Sequence, residues 1–194
     1  HTGMRYLYEY IQKRNPELYK MYTFNMGRRF FDKGKKGKKI SVLFAALKLA
    51  MTYKSGDKFV LTEYLHRDSY QILFAKIIRF ICPKAPIYAM VHLVPEKLER
   101  RYSKAQIKKS SRFVTEIVTL GSSLTCYLNK LGIENVYTSF HYVDNNYYTP
   151  SANLYNRGGD VKVIVMGALA RDFEQIAYIV SRLPQIHFYI CKGR

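Results

Sequence analysis

Acidic residues and cysteines are scarce in this sequence. Its 194 residues include 14 Asp and Glu against 32 Lys and Arg, which gives a formal net charge of +18 at pH 7. The three cysteines, Cys82, Cys126 and Cys191, lie far apart, so they predict neither a disulfide framework nor a zinc site. Such cysteine use is typical of a reducing compartment, and we expect a cytoplasmic location.

Long apolar runs are also missing. The longest apolar stretches, residues 41–50 and 72–81, are interrupted by Lys48 and Lys76. Because a transmembrane helix needs about 20 consecutive apolar residues, we expect a soluble protein, or one bound peripherally at the cytoplasmic face of the membrane. Hydrophobic residues still make up 48 % of the chain, which is enough for a packed core and argues against wholesale disorder.

Motifs for metals and cofactors are absent from the sequence. There is no His-Glu-x-x-His, Cys-x-x-Cys, Asp-x-Asp, lysine-bearing phosphate loop or complete dinucleotide fingerprint. We therefore expect neither a bound metal nor a cofactor. The absence of Asp-x-Asp also argues against the metal-dependent, single-domain class of sugar transferases.

The basic residues are concentrated in two clusters. Such clusters attract polyanions, namely anionic lipid, nucleic acid or phosphorylated substrates, but they also occur as solvated loops and helix faces. The sequence leaves both interpretations open, although the scarcity of acidic residues favours a positive electrostatic field that attracts a polyanion. The first cluster consists of Arg28, Arg29, Lys33, Lys35, Lys36, Lys38 and Lys39, and the second of Lys97, Arg100, Arg101, Lys104, Lys108, Lys109 and Arg112.

From residue 59 onward, short apolar strands alternate with helical segments. No two-residue hairpin turn joins neighbouring strands, so the pattern predicts an α/β fold with a parallel sheet covered by helices. The predicted strands are residues 59–62, 87–91, 116–120 and 136–140, and the predicted helices are 69–81, 95–110 and 122–131. Earlier in the chain, residues 4–14 and 40–53 are predicted helices, and the glycine-lysine stretch 32–39 is predicted as a surface loop.

Three local signals mark helix ends. Asp68 is predicted to cap the helix at 69–81, and Ser122 or Ser123 is predicted to cap the helix at 122–131. Gly132 suits the left-handed position after a helix end.

The second part of the chain indicates a new domain. Residues 144–160 are polar and rich in Asn, Gly and Tyr, which predicts a linker. Strand, helix and strand signals follow at residues 161–166, 172–182 and 186–190. We therefore predict an N-terminal Rossmann-like domain at 1–143, a linker at 144–160, and the truncated beginning of a second Rossmann-like domain at 161–194.

Candidate site residues follow the predicted strands, because ligands of open parallel sheets bind at the carboxyl ends of the strands. Glu63 and His66 follow the first of them, and His92 and Glu96 follow the second. A histidine at this position is able to take a proton from a sugar hydroxyl or to bind a sugar or phosphate. A purely structural histidine at a strand end is equally compatible with the sequence.

Gly167 and Arg171 lie between a predicted strand and a predicted helix. Glycine permits a close approach of the backbone to a ligand, the helix start offers free N–H groups, and Arg171 adds a bidentate phosphate donor. The pattern is a weak signal alone, since many strand-to-helix turns contain one glycine and one arginine.

Four stretches form a set with a family resemblance. Residues 117–133 contain a strand, Gly121-Ser122-Ser123, a helix and a glycine; residues 140–150 run from Phe140-His141-Tyr142-Val143-Asp144 to Thr149-Pro150. Residues 163–172 combine an apolar strand with Gly167 and Arg171-Asp172, and residues 89–95 end in a histidine and a proline. Together they resemble the family 4 (group 1) retaining glycosyltransferases of the GT-B fold, although His141 and Tyr142 stand where glycine or asparagine is more usual.

The resemblance implies a transferase that moves a sugar from a UDP- or GDP-linked donor to a cell-envelope, polysaccharide or lipid-linked acceptor, with retention of configuration and without a metal. It also implies that the first strand precedes His1 and that most of the donor domain follows Arg194, so the chain is expected to be an incomplete enzyme. The implied catalytic residues are His92 and His66, the implied acceptor-binding residues are Glu63, His66, Glu96, Thr2 and Gly3, and the implied donor-phosphate residues are Gly167 and Arg171.

Two other functions stay open at this point. The charge and the 18 tyrosines are compatible with a non-catalytic module that binds nucleic acid or anionic lipid, although nucleic acid is not favoured because no RNA-binding signature is present. An epimerase or phosphorylase of the same fold is a further alternative. The basic, aromatic N-terminal domain also makes an anionic membrane surface an expected partner.

Overall fold

The computed structural model describes residues 4–22, 35–140, 161–166 and 172–191. The chain divides into two compact units, His1–Asp144 and Asn145–Arg194. The predicted linker, residues 144–160, lies outside the described residues.

The first unit is a Rossmann-like α/β domain, as the sequence predicts. Its sheet has four strands in the order β1-β2-β3-β4, and all neighbouring pairs are parallel, with Leu61 opposite Ala89 and Ile117 opposite Val136. The assignment to the GT-B fold stays a prediction. The elements are α1 (Met4–Arg14), α2 (Lys35–Thr52), β1 (Phe59–Leu61), α3 (Gln71–Ile81), β2 (Ile87–Val91), α4 (Pro95–Glu99), α5 (Lys104–Ser111), β3 (Glu116–Thr119), α6 (Ser122–Lys130) and β4 (Val136–Thr138).

The core of this unit forms where apolar strand and helix positions coincide. In β2, Ile87, Ala89 and Val91 are buried while the residues between them are partly exposed. Helix α3 contributes Phe74 and Ile78 to the same cluster. Each large aliphatic or aromatic side chain buried in this way contributes about 1.5–3 kcal/mol, so these alternating positions hold the helices on the sheet.

The predicted cap at Asp68 is wrong. Residues Arg67–Ser69 form a short 3-10 turn, and α3 begins only after Tyr70, whose φ of 55° is left-handed. The hydroxyl of Ser69, not the carboxylate of Asp68, accepts a hydrogen bond from the backbone N–H of Gln71 at 3.3 Å. A left-handed residue at the start leaves no room for an ordinary N-cap.

The single helix predicted for residues 95–110 is two helices. The first helix ends at Glu99, and Ser103 caps the second: its hydroxyl accepts from the N–H of Gln106 at 3.3 Å, and the Gln106 side chain accepts from the N–H of Ser103 at 2.9 Å. This reciprocal capping box makes Lys104 a helix start. The basic residues of the second cluster are therefore divided between α4, α5 and the residues around them.

Two further expectations are corrected and one is confirmed. The described residues of the predicted loop, 35–39, belong to α2, because four lysines favour the helix more than the single Gly37 opposes it. The N-cap of α6 is Gly121, so neither Ser122 nor Ser123 occupies that position. Gly132 adopts the predicted left-handed conformation, with a φ of 75°.

The second unit contains the predicted strand, helix and strand. These are β5 (Lys162–Met166), α7 (Phe173–Arg182) and β6 (His187–Cys191), and β5 and β6 form a parallel sheet separate from that of the first unit. Asp172 caps α7 by accepting the N–H of Gln175 at 3.0 Å. No residue described in this unit is buried.

Within the described parts of both units, no helix has the length and apolarity required to cross a membrane.

Candidate functional site

The carboxyl ends of β1 and β2 bring Glu63 and His92 together. One backbone hydrogen bond still joins the two segments beyond β1, because the N–H of Tyr64, three residues after Leu61, donates to the carbonyl of Met90 at 2.9 Å. Residues immediately after the two strands therefore leave the sheet side by side. This is the edge at which open parallel sheets bind ligands.

The ring of His92 is held by one short hydrogen bond. Its Nε2 lies 2.6 Å from the carbonyl oxygen of Thr62. A carbonyl only accepts, so Nε2 must carry the proton, and in the neutral ring the lone pair is on Nδ1. No described residue is bonded to Nδ1, which leaves this nitrogen as a proton acceptor.

Glu63 supplies a carboxylate next to this ring. Its Oε1 lies 4.0 Å from Nε2 of His92, and its side chain is half exposed. The backbone of Glu63 is held by helix α3, since the N–H of Glu63 donates to Oε1 of the buried Gln71 at 2.8 Å. The carboxylate of Glu63 therefore lies within ion-pairing distance of the ring that the Thr62 carbonyl holds in place.

Tyr8 of α1 completes the cluster. Its hydroxyl is directed at the sulfur of Met90, with an O···S distance of 3.9 Å. Burial raises the pKa of Tyr8 to about 12, and the negative charge of Glu63 adds to the increase. Sequence reasoning did not identify this residue; the available signal was a tyrosine at an apolar helix position in the segment after Thr2-Gly3.

The loop between β1 and α3 is strained and firmly anchored. Leu65 has a φ of 58° and Tyr70 a φ of 55°, and both are in the left-handed region that disfavours side-chain-bearing residues by roughly 1–2 kcal/mol each. Tyr64 and Leu65 are buried, and the hydroxyl of Tyr64 donates to the carbonyl of Ser110 at 2.8 Å. Such strain persists only where the surrounding structure fixes the conformation.

This loop places His66 in a different environment from His92. His66 lines a depression of about 290 Å³ with two tyrosines, two cationic residues and two aliphatic residues. The contacts of His92 are with Thr62 and Glu63 instead. The remaining residues around the depression are Arg67, Tyr70, Ile72, Leu73, Lys76 and Tyr102.

Tyr102 in this depression is partly withdrawn from water. Its pKa is raised, chiefly by burial, while the positive charges of Arg101 and Arg67 oppose the increase. Its hydroxyl therefore stays protonated near neutral pH. The wall of the depression combines aromatic faces with cations, which suits a sugar or an anionic group.

The other predicted site residues are not joined to this cluster. Glu96 lies exposed in the first turn of α4, and no bond links it to Glu63 or His92. Thr2, Gly3, Gly167 and Arg171 lie outside the described residues. Their predicted roles stay predictions.

A chain of hydroxyl groups lies at the ends of β3 and β4. Thr119 Oγ1 is 2.6 Å from Thr125 Oγ1, which is 2.7 Å from Thr138 Oγ1. The Thr119 hydroxyl donates to the carbonyl of Gly121 at 3.2 Å. Because Thr119 is buried and Thr138 is exposed, the chain connects the core to the surface.

Among the described residues, no group of three or more His, Cys, Asp or Glu side chains is arranged to hold a metal ion. The chain matches no protein-family model, no curated protein and no solved structure.

Proposed function

We propose that the chain is part of a glycosyltransferase and supplies its acceptor side. The donor is a sugar linked to a nucleoside diphosphate, UDP or GDP, and the acceptor is a hydroxyl of a cell-envelope or polysaccharide-type molecule. Donor binding is assigned to the second unit, with Gly167 and Arg171 near the phosphates. The donor sugar is transferred at the edge where β1 and β2 end.

The observation that carries the proposal is the fixed ring of His92. Its bond to the Thr62 carbonyl selects the tautomer with a lone pair on Nδ1, and Glu63 lies 4.0 Å away. A base held in one orientation beside a carboxylate is what proton removal from a weakly acidic hydroxyl requires.

The proposed step balances as follows. The acceptor O–H gives its proton to Nδ1 of His92 while its oxygen bonds to the anomeric carbon on the face that the diphosphate leaves, so that the configuration is retained. The bond from that carbon to the diphosphate oxygen breaks, and the diphosphate leaves with the electron pair. Glu63 stabilises the resulting imidazolium, and Tyr8, which stays protonated because of its raised pKa, is able to turn its hydroxyl from the Met90 sulfur to the acceptor.

Binding of the acceptor is assigned to the depression beside His66. Tyr70 and Tyr102 offer aromatic faces on which sugar rings pack, and Arg67 and Lys76 offer positive charge for a phosphate or carboxylate. The proposal thus gives the two histidines separate roles: His92 accepts the proton, and His66 contacts the acceptor.

The test separates these roles by matched substitutions. His92→Gln keeps an N–H for the Thr62 carbonyl but has no base, so it should lower kcat by about 100-fold or more with little change in the KM for acceptor. His66→Gln should mainly raise that KM. The assay uses the complete enzyme that contains this chain, and it follows release of UDP or GDP from a series of nucleotide sugars in the presence of cell-envelope acceptor extract. Full kcat in His92→Gln would refute the role of His92 as base.

A second candidate function is a polyanion-binding module. The specific observation in its favour is that the second basic cluster is exposed throughout, from Lys97 to Arg112. UDP or GDP and single-stranded RNA should be titrated in parallel at two salt concentrations. Binding of RNA with a steep salt dependence, and of neither nucleotide, would favour this second function over the transferase.

A further inference from the structure

Helix α2 is apolar on its buried side and also on part of its exposed side. Its inner side buries Val42 and Ala46 in the core. On the other side Leu43, Leu47 and Met51 follow one another at four-residue intervals and form a single stripe. Met51 is 81 % exposed and Leu43 is 42 % exposed. A helix that faces water on one side normally carries polar residues there, so this stripe suits contact with an apolar phase.

The end of α3 carries another exposed apolar side chain. The thiol of Cys82 contacts the carbonyl of Ala50 with an S···O distance of 3.9 Å, so the two helices end next to each other. Phe80, two residues before Cys82, is 85 % exposed. The same end of the domain therefore exposes Phe80 and Met51, two large apolar side chains.

The charges around the stripe are all positive within α2. The helix contains no acidic residue, and its lysines are Lys35, Lys36, Lys38, Lys39 and Lys48. Helical geometry places the exposed Lys39 and Lys48 on opposite flanks of the stripe. A lysine stem lies along an apolar surface while its ammonium group reaches a phosphate, so these flanks suit a layer of anionic headgroups above an apolar interior.

We infer that the outward face of α2, together with the end of α3, docks on an anionic membrane leaflet. Charge complementarity favours this occupant over a second copy of the chain, because two α2 faces in contact would oppose their lysines. The face matches an interfacial helix, which buries an apolar stripe at the level of the headgroups. This inference goes beyond the proposed sugar transfer and does not depend on it.

A tryptophan reporter tests the inference directly. The chain has no tryptophan, so Met51→Trp introduces a single probe in the stripe, and Tyr137→Trp, at an exposed position of β4, is the matched control. Vesicles of zwitterionic lipid alone and of zwitterionic mixed with anionic lipid are prepared with brominated acyl chains. We expect quenching of Met51→Trp by the anionic vesicles only, and no quenching of the control. Absence of quenching, or equal quenching by both kinds of vesicle, would overturn the inference.

Charge variants supply the second measurement. Lys39→Glu/Lys48→Glu should weaken flotation with anionic vesicles by about tenfold or more. Lys104→Glu/Lys109→Glu changes the net charge equally on exposed positions of α5 and should cause a clearly smaller loss. Equal losses would overturn the assignment to α2. So would a blue-shifted Met51→Trp signal that depends on protein concentration without vesicles, because it would show that a second copy covers the face.

Discussion

Removal of one hydroxyl from Tyr64 should measurably destabilise the domain. The Tyr64 side chain is 1 % exposed, and its hydroxyl donates to the carbonyl of Ser110 at 2.8 Å. That bond ties the loop that positions Glu63 to helix α5. Tyr64→Phe removes the bond and leaves the ring in place, so no large cavity forms.

The size of the effect follows from what remains bonded. The Ser110 carbonyl also accepts the N–H of Phe113 at 3.1 Å, so the substitution does not leave it without a donor. The loss is therefore that of one net hydrogen bond, about 1 kcal/mol, and not the larger cost of an unsatisfied buried group. For a chain of this length, we expect Tm to fall by about 3 °C.

Urea unfolding followed by far-ultraviolet circular dichroism provides the measurement. Tyr64→Phe should lower the urea midpoint by about 0.5 M with an unchanged slope. Tyr137→Phe is the control, because the Tyr137 side chain is 56 % exposed, and its midpoint should match that of the unsubstituted protein. The reasoning fails if both variants unfold at the same midpoint, or if Tyr64→Phe loses more than about 3 kcal/mol, the upper end for an unsatisfied buried group.

Three further predictions concern single residues. The pKa of Tyr8 is raised to about 12 by burial and by Glu63, so the proton that it retains adds stability below pH 10, and this stability is lost as the pH rises from 10 to 12. The tyrosinate absorbance of the unsubstituted protein minus that of Tyr8→Phe, followed as the pH is raised, should accordingly have its titration midpoint near pH 12. A titration midpoint near pH 10 would contradict the burial of Tyr8. Gly132→Ala puts a side chain at a φ of 75° and should cost roughly 1–2 kcal/mol of unfolding free energy in urea. Ser103→Ala removes one half of the capping box with Gln106 and should cost about 1 kcal/mol, with a partial loss of helical ellipticity; no change would show that α5 is fixed by packing alone.

The sheet was predictable from the sequence because its strands are short, largely apolar segments separated by helical ones. The residues of β2, for example, are five apolar or aromatic residues between two prolines, and the observed strand has the predicted bounds. Helix boundaries were less predictable, since they depend on competition between neighbouring caps. The second half of a predicted helix starts again at Lys104 because Ser103 and Gln106 cap each other.

The candidate site was predictable only in part. Strand ends indicated Glu63 and His92, and the structure places these two side chains together. The separate surroundings of His66 depend on left-handed backbone at Leu65 and Tyr70, which no residue type at those positions signals. Tyr8 was missed because its contact with Met90 joins residues 82 positions apart.

The threonine chain at the ends of β3 and β4 has a fixed polarity. Each hydroxyl has one hydrogen, and that of Thr119 is given to Gly121, so Thr125 must donate to Thr119 and Thr138 must donate to Thr125. The surface end of the relay therefore presents lone pairs and no hydrogen. A molecule that reaches Thr138 must bring its own donor, so this corner discriminates in favour of hydroxyl or ammonium groups and against bare phosphate oxygens.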